Sequence, residues 1–139
     1  MFYEGVSALP GSGFRGSPRQ LWKAFCWSMK GLRAAWCHEA SFRLEVLLAL
    51  VLVPAGLWLG HDGLERVTLV VPIFMVLATE LVNSALEALV DLVSPGFHEL
   101  AGRVKELGSA AVFVLQLATL LCWLLVLGPY YITVVPRLP

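Results

Sequence analysis

From Ala110 to Leu127 the chain runs for 18 residues with only Gln116 and Thr119 as polar interruptions. Such a run fits a helix that crosses a bilayer, because about 20 apolar residues at 1.5 Å each span a hydrocarbon core of roughly 30 Å. Two further apolar segments precede it. The stretch from Val46 to Leu59 is short and holds Pro54 and Gly56, yet it extends back through Leu44 and Phe42 far enough to cross. The stretch from Val67 to Val93 is almost wholly apolar up to Ala78 and mixed thereafter, with Pro72 placed to bend it. Gly128-Pro129 is expected to end the last span, with Tyr130 and Tyr131 suited to the membrane interface.

Composition agrees with this reading. The chain is 58% hydrophobic and 14% charged, where soluble domains carry about 25% charged residues. Disordered, fibrous and disulfide-scaffold classes are excluded by the same figures. The expected fold is all-α and integral to a membrane. Its spans lie at about 42–59, 67–93 and 108–128, with a surface helix at 17–40, together forming a membrane domain over 17–128. Residues 1–16 and 129–139 are expected to be tails. Met1 to Arg19 has no apolar stretch of the secretory-signal kind. It contains a G-x-G-x-x-G at Gly11, Gly13 and Gly16, but no strand precedes it and no βαβ unit is possible, so it reads as linker. The three cysteines, Cys26, Cys37 and Cys122, show no CxxC spacing and sit in apolar stretches. They are expected to be buried, reduced thiols.

Basic and acidic residues balance at ten each, so net charge gives no argument for nucleic acid. Their distribution is informative. Arg15, Arg19, Lys23, Lys30, Arg33 and Arg43 precede the first span, and Arg103 and Lys105 lie between the second and third. Only Arg66 and Arg137 lie on the other side. The positive-inside rule then puts the N-terminus and second loop in the cytoplasm and the C-terminus outside. The surface helix has Ser17 as N-cap and Pro18 at the first helical position. On a helical wheel Arg19, Lys23, Lys30 and Arg33 share a stripe roughly 80° wide. Leu21, Phe25, Met29, Leu32 and Trp36 fall nearly opposite, the pattern of a helix lying in the membrane interface.

The second span carries Glu80, Asn83, Glu87 and Asp91 at i, i+3, i+7 and i+11, which places them on one face with Ser84 beside it. A carboxylate near a bilayer centre costs roughly 2.5–3.5 kcal/mol on insertion scales, so this face is expected to avoid lipid. Two neighbouring carboxylates suit Mg2+, which takes one or two of them together with phosphate and water. A partly buried glutamate also suits general base catalysis. Glu39, His98, Glu99, Arg103, Lys105 and Glu106 can join from the basic side, and Lys105 is a candidate phosphate partner. No zinc-type cluster, Walker A motif or protein-kinase signature is present. The residues alone leave open an interfacial Mg2+-dependent site, a proton or cation pathway, and a structural membrane subunit.

The motif Glu80-Leu-Val-Asn83-Ser84-Ala85-Leu-Glu87-Ala-Leu-Val-Asp91, with Phe97-His98-Glu99-Leu100 and Lys105-Glu106-Leu107-Gly108-Ser109-Ala110-Ala111-Val112, resembles the prokaryotic diacylglycerol kinase family. Lys30-Gly31-Leu32-Arg33-Ala34-Ala35-Trp36 and Glu39-Ala40-Ser41-Phe42-Arg43 resemble its Gram-negative branch, which acts on diacylglycerol rather than undecaprenol. The resemblance covers about Pro18 to Leu127. It implies a homotrimer of three-span chains in the bacterial inner membrane. It also implies transfer of the γ-phosphate of MgATP to diacylglycerol, giving phosphatidic acid. By this resemblance Glu80 is the general base, supported by Asn83, and Glu39 and Glu87 hold Mg2+. ATP contacts fall on Gln20, Trp27, Glu39, Glu87, Gly96, Phe97, His98, Lys105 and Glu106. Lipid contacts fall on Lys30, Arg33, Trp36, Glu45, Glu80 and Ser109. The sequence departs from the family pattern at Glu106 (usually Asp), Phe97 (usually Tyr), Gly96 (usually Glu), Gln20 (usually Arg) and Met29 (commonly Trp).

Overall fold

The computed structural model describes residues 17–134, with side chains up to Tyr130. The expectations for residues 1–16, Tyr131 and 135–139 lie outside the described residues. Four helices follow in order: α1 (Pro18–His38), α2 (Ala40–Leu59), α3 (Gly63–Val93) and α4 (Glu99–Val134). Three of them are long and apolar enough to cross a membrane, over Ala40–Leu59, Gly63–Val93 and Glu99–Tyr130.

The chain divides into two compact units, Met1–Gly31 and Leu32–Pro139. In the first, α1 opens as the sequence expects. The Ser17 amide donates to Gln20 Oε1 and the Arg19 amide to Ser17 Oγ, each at 3.3 Å. This reciprocal box satisfies amides that have no partner within the helix. Trp22 and Phe25 stack with ring centroids 5.7 Å apart.

In the second unit, α1 ends at His38, and Arg43 Nη1 donates to the Trp36 carbonyl at 3.0 Å and the Cys37 carbonyl at 3.4 Å. A cation there meets the unpaired carbonyls and the negative end of the helix dipole. Glu39 alone separates α1 from α2, with extended backbone (φ −107°, ψ 112°), and its side chain does not cap α2. The α2–α3 turn is closed by Asp62, whose Oδ1 accepts from the Glu65 amide at 2.8 Å. Glu65 Oε2 in turn accepts from the His61 amide at 2.8 Å.

Helix α3 packs against both α2 and α4. It buries Leu69, Ile73, Val76, Glu80 and Asn83 along one stripe at helical spacing. Phe42 and Ala49 of α2 and Val112 of α4 are buried as well. Gly56 lets the helices close up, since a methyl group there would sit 3.1 Å from Leu69 Cβ and 3.5 Å from Trp123 Cζ2. Small residues at such crossings are how membrane helices approach closely. Trp123 Nε1 then donates to the Leu69 carbonyl at 3.0 Å, tying α4 to the backbone of α3.

Two expectations are corrected. Helix α4 begins at Glu99 rather than near 108, and it continues through Gly128-Pro129 to Val134 rather than stopping there. Pro129 removes one backbone donor, while Gly128 has no Cβ to meet the proline ring, so the helix passes through. Helix α3 runs through Pro72 as one element, in line with the single span expected there. The cysteines are free, but Cys37 is exposed and Cys26 and Cys122 are only partly covered. Cys122 alone lies in a candidate spanning helix, where lipid is as apolar as protein neighbours would be, while Cys26 and Cys37 lie on α1.

Candidate functional site

The buried stripe of α3 changes character along its length. After Leu69, Ile73 and Val76 come Glu80, 5% exposed, and Asn83, 8% exposed. Polar groups at such burial need partners. Asn83 Nδ2 donates to Glu87 Oε1 at 3.0 Å, one turn further on. Asn83 therefore reaches Glu87, whereas the resemblance implied that it supports Glu80. Its Oδ1 is buried with no hydrogen bond among the described residues. That oxygen lies against Gly108 of α4, where any Cβ would collide with it. Glycine at 108 is thus the condition for α4 to lie beside Asn83.

Glu80 and Glu87 share the polar face of α3, Glu45 is buried on α2, and Glu39 stands at the α1–α2 joint. These four carboxylates come from three places in the sequence: the α1–α2 joint, α2 and α3. Glu45 is 9% exposed. Gln116 Nε2 of α4 donates to Glu45 Oε1 at 3.0 Å, and Glu45 Oε2 is buried without a partner among the described residues.

Among the described residues no group of three or more His, Cys, Asp or Glu is set to hold a metal by itself. The donor set nonetheless fits Mg2+, whose hard oxygen ligands are commonly one or two carboxylates completed by phosphate and water. Glu39 is uncommitted as a helix cap, which leaves its carboxylate available.

Further along, Lys105 Nζ of α4 meets Asp91 Oδ1 of α3 at 2.6 Å. Asp91 shares the helix face of Glu80 and Glu87, so the ion pair sets Lys105 at the end of the carboxylate row. His98 Nδ1 accepts from the Leu100 amide at 3.2 Å and caps the start of α4. Gly96 and Phe97 lie in the α3–α4 connection, with Phe97 fully exposed. Glu106 and Ser109 are exposed on α4, and Arg33 and Trp36 on the end of α1. In the first unit Gln20 belongs to the cap of α1, and Trp27 and Lys30 are exposed.

The structure buries Glu45, Glu80 and Asn83, joins Asn83 to Glu87, and places Lys105 against Asp91. Two residues outside the expected set enter the site. Gly108 is part of a recognised motif, but nothing in the sequence says what its missing side chain admits. Gln116 is the one amide in the third span, a usable signal, yet its partner lies 71 residues away.

The family model described as Prokaryotic diacylglycerol kinase matches residues 26–127. The chain is 41% identical over 109 residues to the diacylglycerol kinase of Escherichia coli (strain K12), covering 78% of this chain and 89% of that protein. It is 39% identical over 112 residues to that of Helicobacter pylori (strain ATCC 700392 / 26695), covering 81% and 84%. With the diacylglycerol kinase of Pseudomonas aeruginosa PAO1 the identity is 38% over 122 residues, covering 88% and 98%.

Proposed function

The chain belongs to the prokaryotic diacylglycerol kinase family, and we propose that its carboxylate face carries the reaction: transfer of the γ-phosphate of MgATP to the free hydroxyl of diacylglycerol, giving phosphatidic acid and ADP. The observation that carries the assignment of roles is the burial of Glu80 and Asn83 on the α3 face that continues to Glu87, which Asn83 holds by a hydrogen bond.

Glu80 accepts the hydroxyl proton as the lipid oxygen forms its bond to the γ-phosphorus and the bond from that phosphorus to the β-phosphate oxygen breaks. A lipid hydroxyl sits near the bilayer surface, so its base must project from a membrane helix, as Glu80 does. Phosphoryl transfer otherwise demands positioning and neutralisation of charge more than covalent chemistry. Asn83 orients Glu87 through their hydrogen bond. Glu39 and Glu87 would hold Mg2+, which when bound neutralises phosphate charge. Lys105 exchanges Asp91 for a phosphate oxygen when nucleotide arrives.

Glu106, His98, Phe97 and Gly96 contribute to the nucleotide side, and Arg33, Trp36, Glu45 and Ser109 to the lipid side. Roles for Gln20, Trp27 and Lys30 rest on the resemblance alone. The assembly is a homotrimer in the bacterial inner membrane, with the N-terminus and second loop cytoplasmic. The distribution of basic residues, eight against two, supports that orientation. The amphipathic pattern of α1 supports its place in the interface.

The test is Glu80→Gln in purified protein with labelled ATP and diacylglycerol. General base catalysis is worth roughly 100- to 10,000-fold, and a loss of that size with retained folding is expected. Normal turnover would remove Glu80 from the role.

A further inference from the structure

A groove of about 450 Å3 opens between α2, α3 and α4. Helices α2 and α4 run the same way along it, since Glu45 pairs with Gln116 near one end and Gly56 meets Trp123 near the other. Its walls are aliphatic, including Leu48, Leu52, Ile73 and Leu120, and its polar groups concentrate at the Glu45–Gln116 end. From Gln116 to Trp123 the wall extends about 10 Å at 1.5 Å per residue. The polar end adjoins the catalytic face, because Val76 on the groove wall lies one helical turn before Glu80 on the buried stripe of α3.

That end is unfinished. Glu45 Oε2 is buried without a partner among the described residues. Gln116 spends one amide hydrogen on Glu45 Oε1, and an amide has two. Its second N–H and its carbonyl make no other bond among the described residues. A groove with an apolar body and an unspent donor beside the base fits a chain that carries a carbonyl close to a hydroxyl.

The geometry points to Gln116 as a specificity-determining residue. One acyl chain of the acceptor lipid lies in this groove, and the ester carbonyl at its head accepts the free N–H of Gln116. The inference rests on the kinase reading and deepens it. The ester places the neighbouring hydroxyl near Glu80 while the chain runs away from the carboxylates. A polyprenol, having no carbonyl, forfeits this contact. Gln116 acts on Glu45 as well, so its substitution has to be read by a ratio between acceptors rather than by activity alone.

The experiment compares two acceptors in detergent–lipid micelles: a 1,2-diacylglycerol and the 1,2-dialkylglycerol of equal chain length, which keeps hydroxyl and chains but lacks both carbonyls. The unsubstituted protein is expected to favour the ester about tenfold in kcat/KM, the worth of one hydrogen bond. Gln116→Leu is expected to bring that ratio close to one. Leu120→Trp, at an exposed position on the wall, is expected to shift preference from dioleoyl to dioctanoyl acceptor by about tenfold.

An ester-to-ether ratio unchanged by Gln116→Leu overturns the role of the amide, leaving Gln116 only as a support for Glu45. An unchanged chain-length preference in Leu120→Trp, with an altered subunit number on crosslinking or without it, overturns the acyl-chain occupant. In the first of these cases the groove is a contact with a second copy of the chain. Absence of transfer to either acceptor by the unsubstituted protein is a different failure, which removes the kinase reading and this inference with it.

Discussion

Asn83 Nδ2 donates to Glu87 Oε1 at 3.0 Å while Asn83 Oδ1 presses on the bare face of Gly108. One amide thus holds a carboxylate on its own helix and sets how closely the next helix approaches. A side chain at 108 forces either the amide or α4 to move. Gly108→Ala is expected to destabilise the folded protein by about 1–3 kcal/mol, the usual cost of overpacking, and to lower turnover. Combining it with Asn83→Ala is expected to recover much of the stability and none of the activity. Thermal unfolding in detergent of both single variants and the double variant measures the coupling. Additive losses would show that the two residues do not meet.

Lys105 and Asp91 form a short ion pair, but their side chains are 37% and 66% exposed. Exposed pairs contribute little, about 0–1 kcal/mol. Asp91→Asn is accordingly expected to leave the unfolding temperature nearly unchanged and to lower the KM for ATP by freeing Lys105 for phosphate. Lys105→Ala is expected to raise that KM at least tenfold. Steady-state kinetics at two salt concentrations check both, and a large loss of stability in Asp91→Asn would contradict the assigned role.

Arg43 holds the last carbonyls of α1 beside Glu39. Arg43→Ala is expected to cost about 1 kcal/mol through loss of charged hydrogen bonds at a helix end. Because it loosens the joint that carries Glu39, it is also expected to raise the Mg2+ concentration needed for half-maximal transfer. A magnesium titration of activity reads this, and an unchanged requirement would separate Arg43 from the metal side.

The helices were legible in the sequence because spanning segments are long and apolar, and Ser17, Pro18 and Gln20 mark the start of α1. The carboxylate face was legible because four polar residues at i, i+3, i+7 and i+11 can only lie together. The course of α4 past Pro129 was not, because a proline stops a helix only where its lost bond and ring contacts matter, and Gly128 relieves the second. Contacts between helices were the least visible. Neither the seat of Asn83 on Gly108 nor the pairing of Glu45 with Gln116 has a local signature, since each depends on how two distant helices cross. Burial of the cysteines failed for a different reason. Hydrophobic character in a bilayer does not distinguish core from lipid contact.

Acceptor selection follows from the same arrangement. If the carboxylate face and the groove at Glu45 act together, diacylglycerol is expected to be phosphorylated in preference to undecaprenol by at least tenfold in kcat/KM. Competition between the two acceptors in one micelle preparation checks this, and a preference for undecaprenol would keep the kinase but reassign its lipid.

The most direct measurement of the central claim is transfer of label from ATP, with Mg2+, to diacylglycerol and undecaprenol side by side, using unsubstituted protein and Glu80→Gln. The account predicts label in phosphatidic acid from the unsubstituted protein and its loss in folded Glu80→Gln. Folded, unsubstituted protein that labels neither lipid, or Glu80→Gln that labels phosphatidic acid at the normal rate, would contradict it.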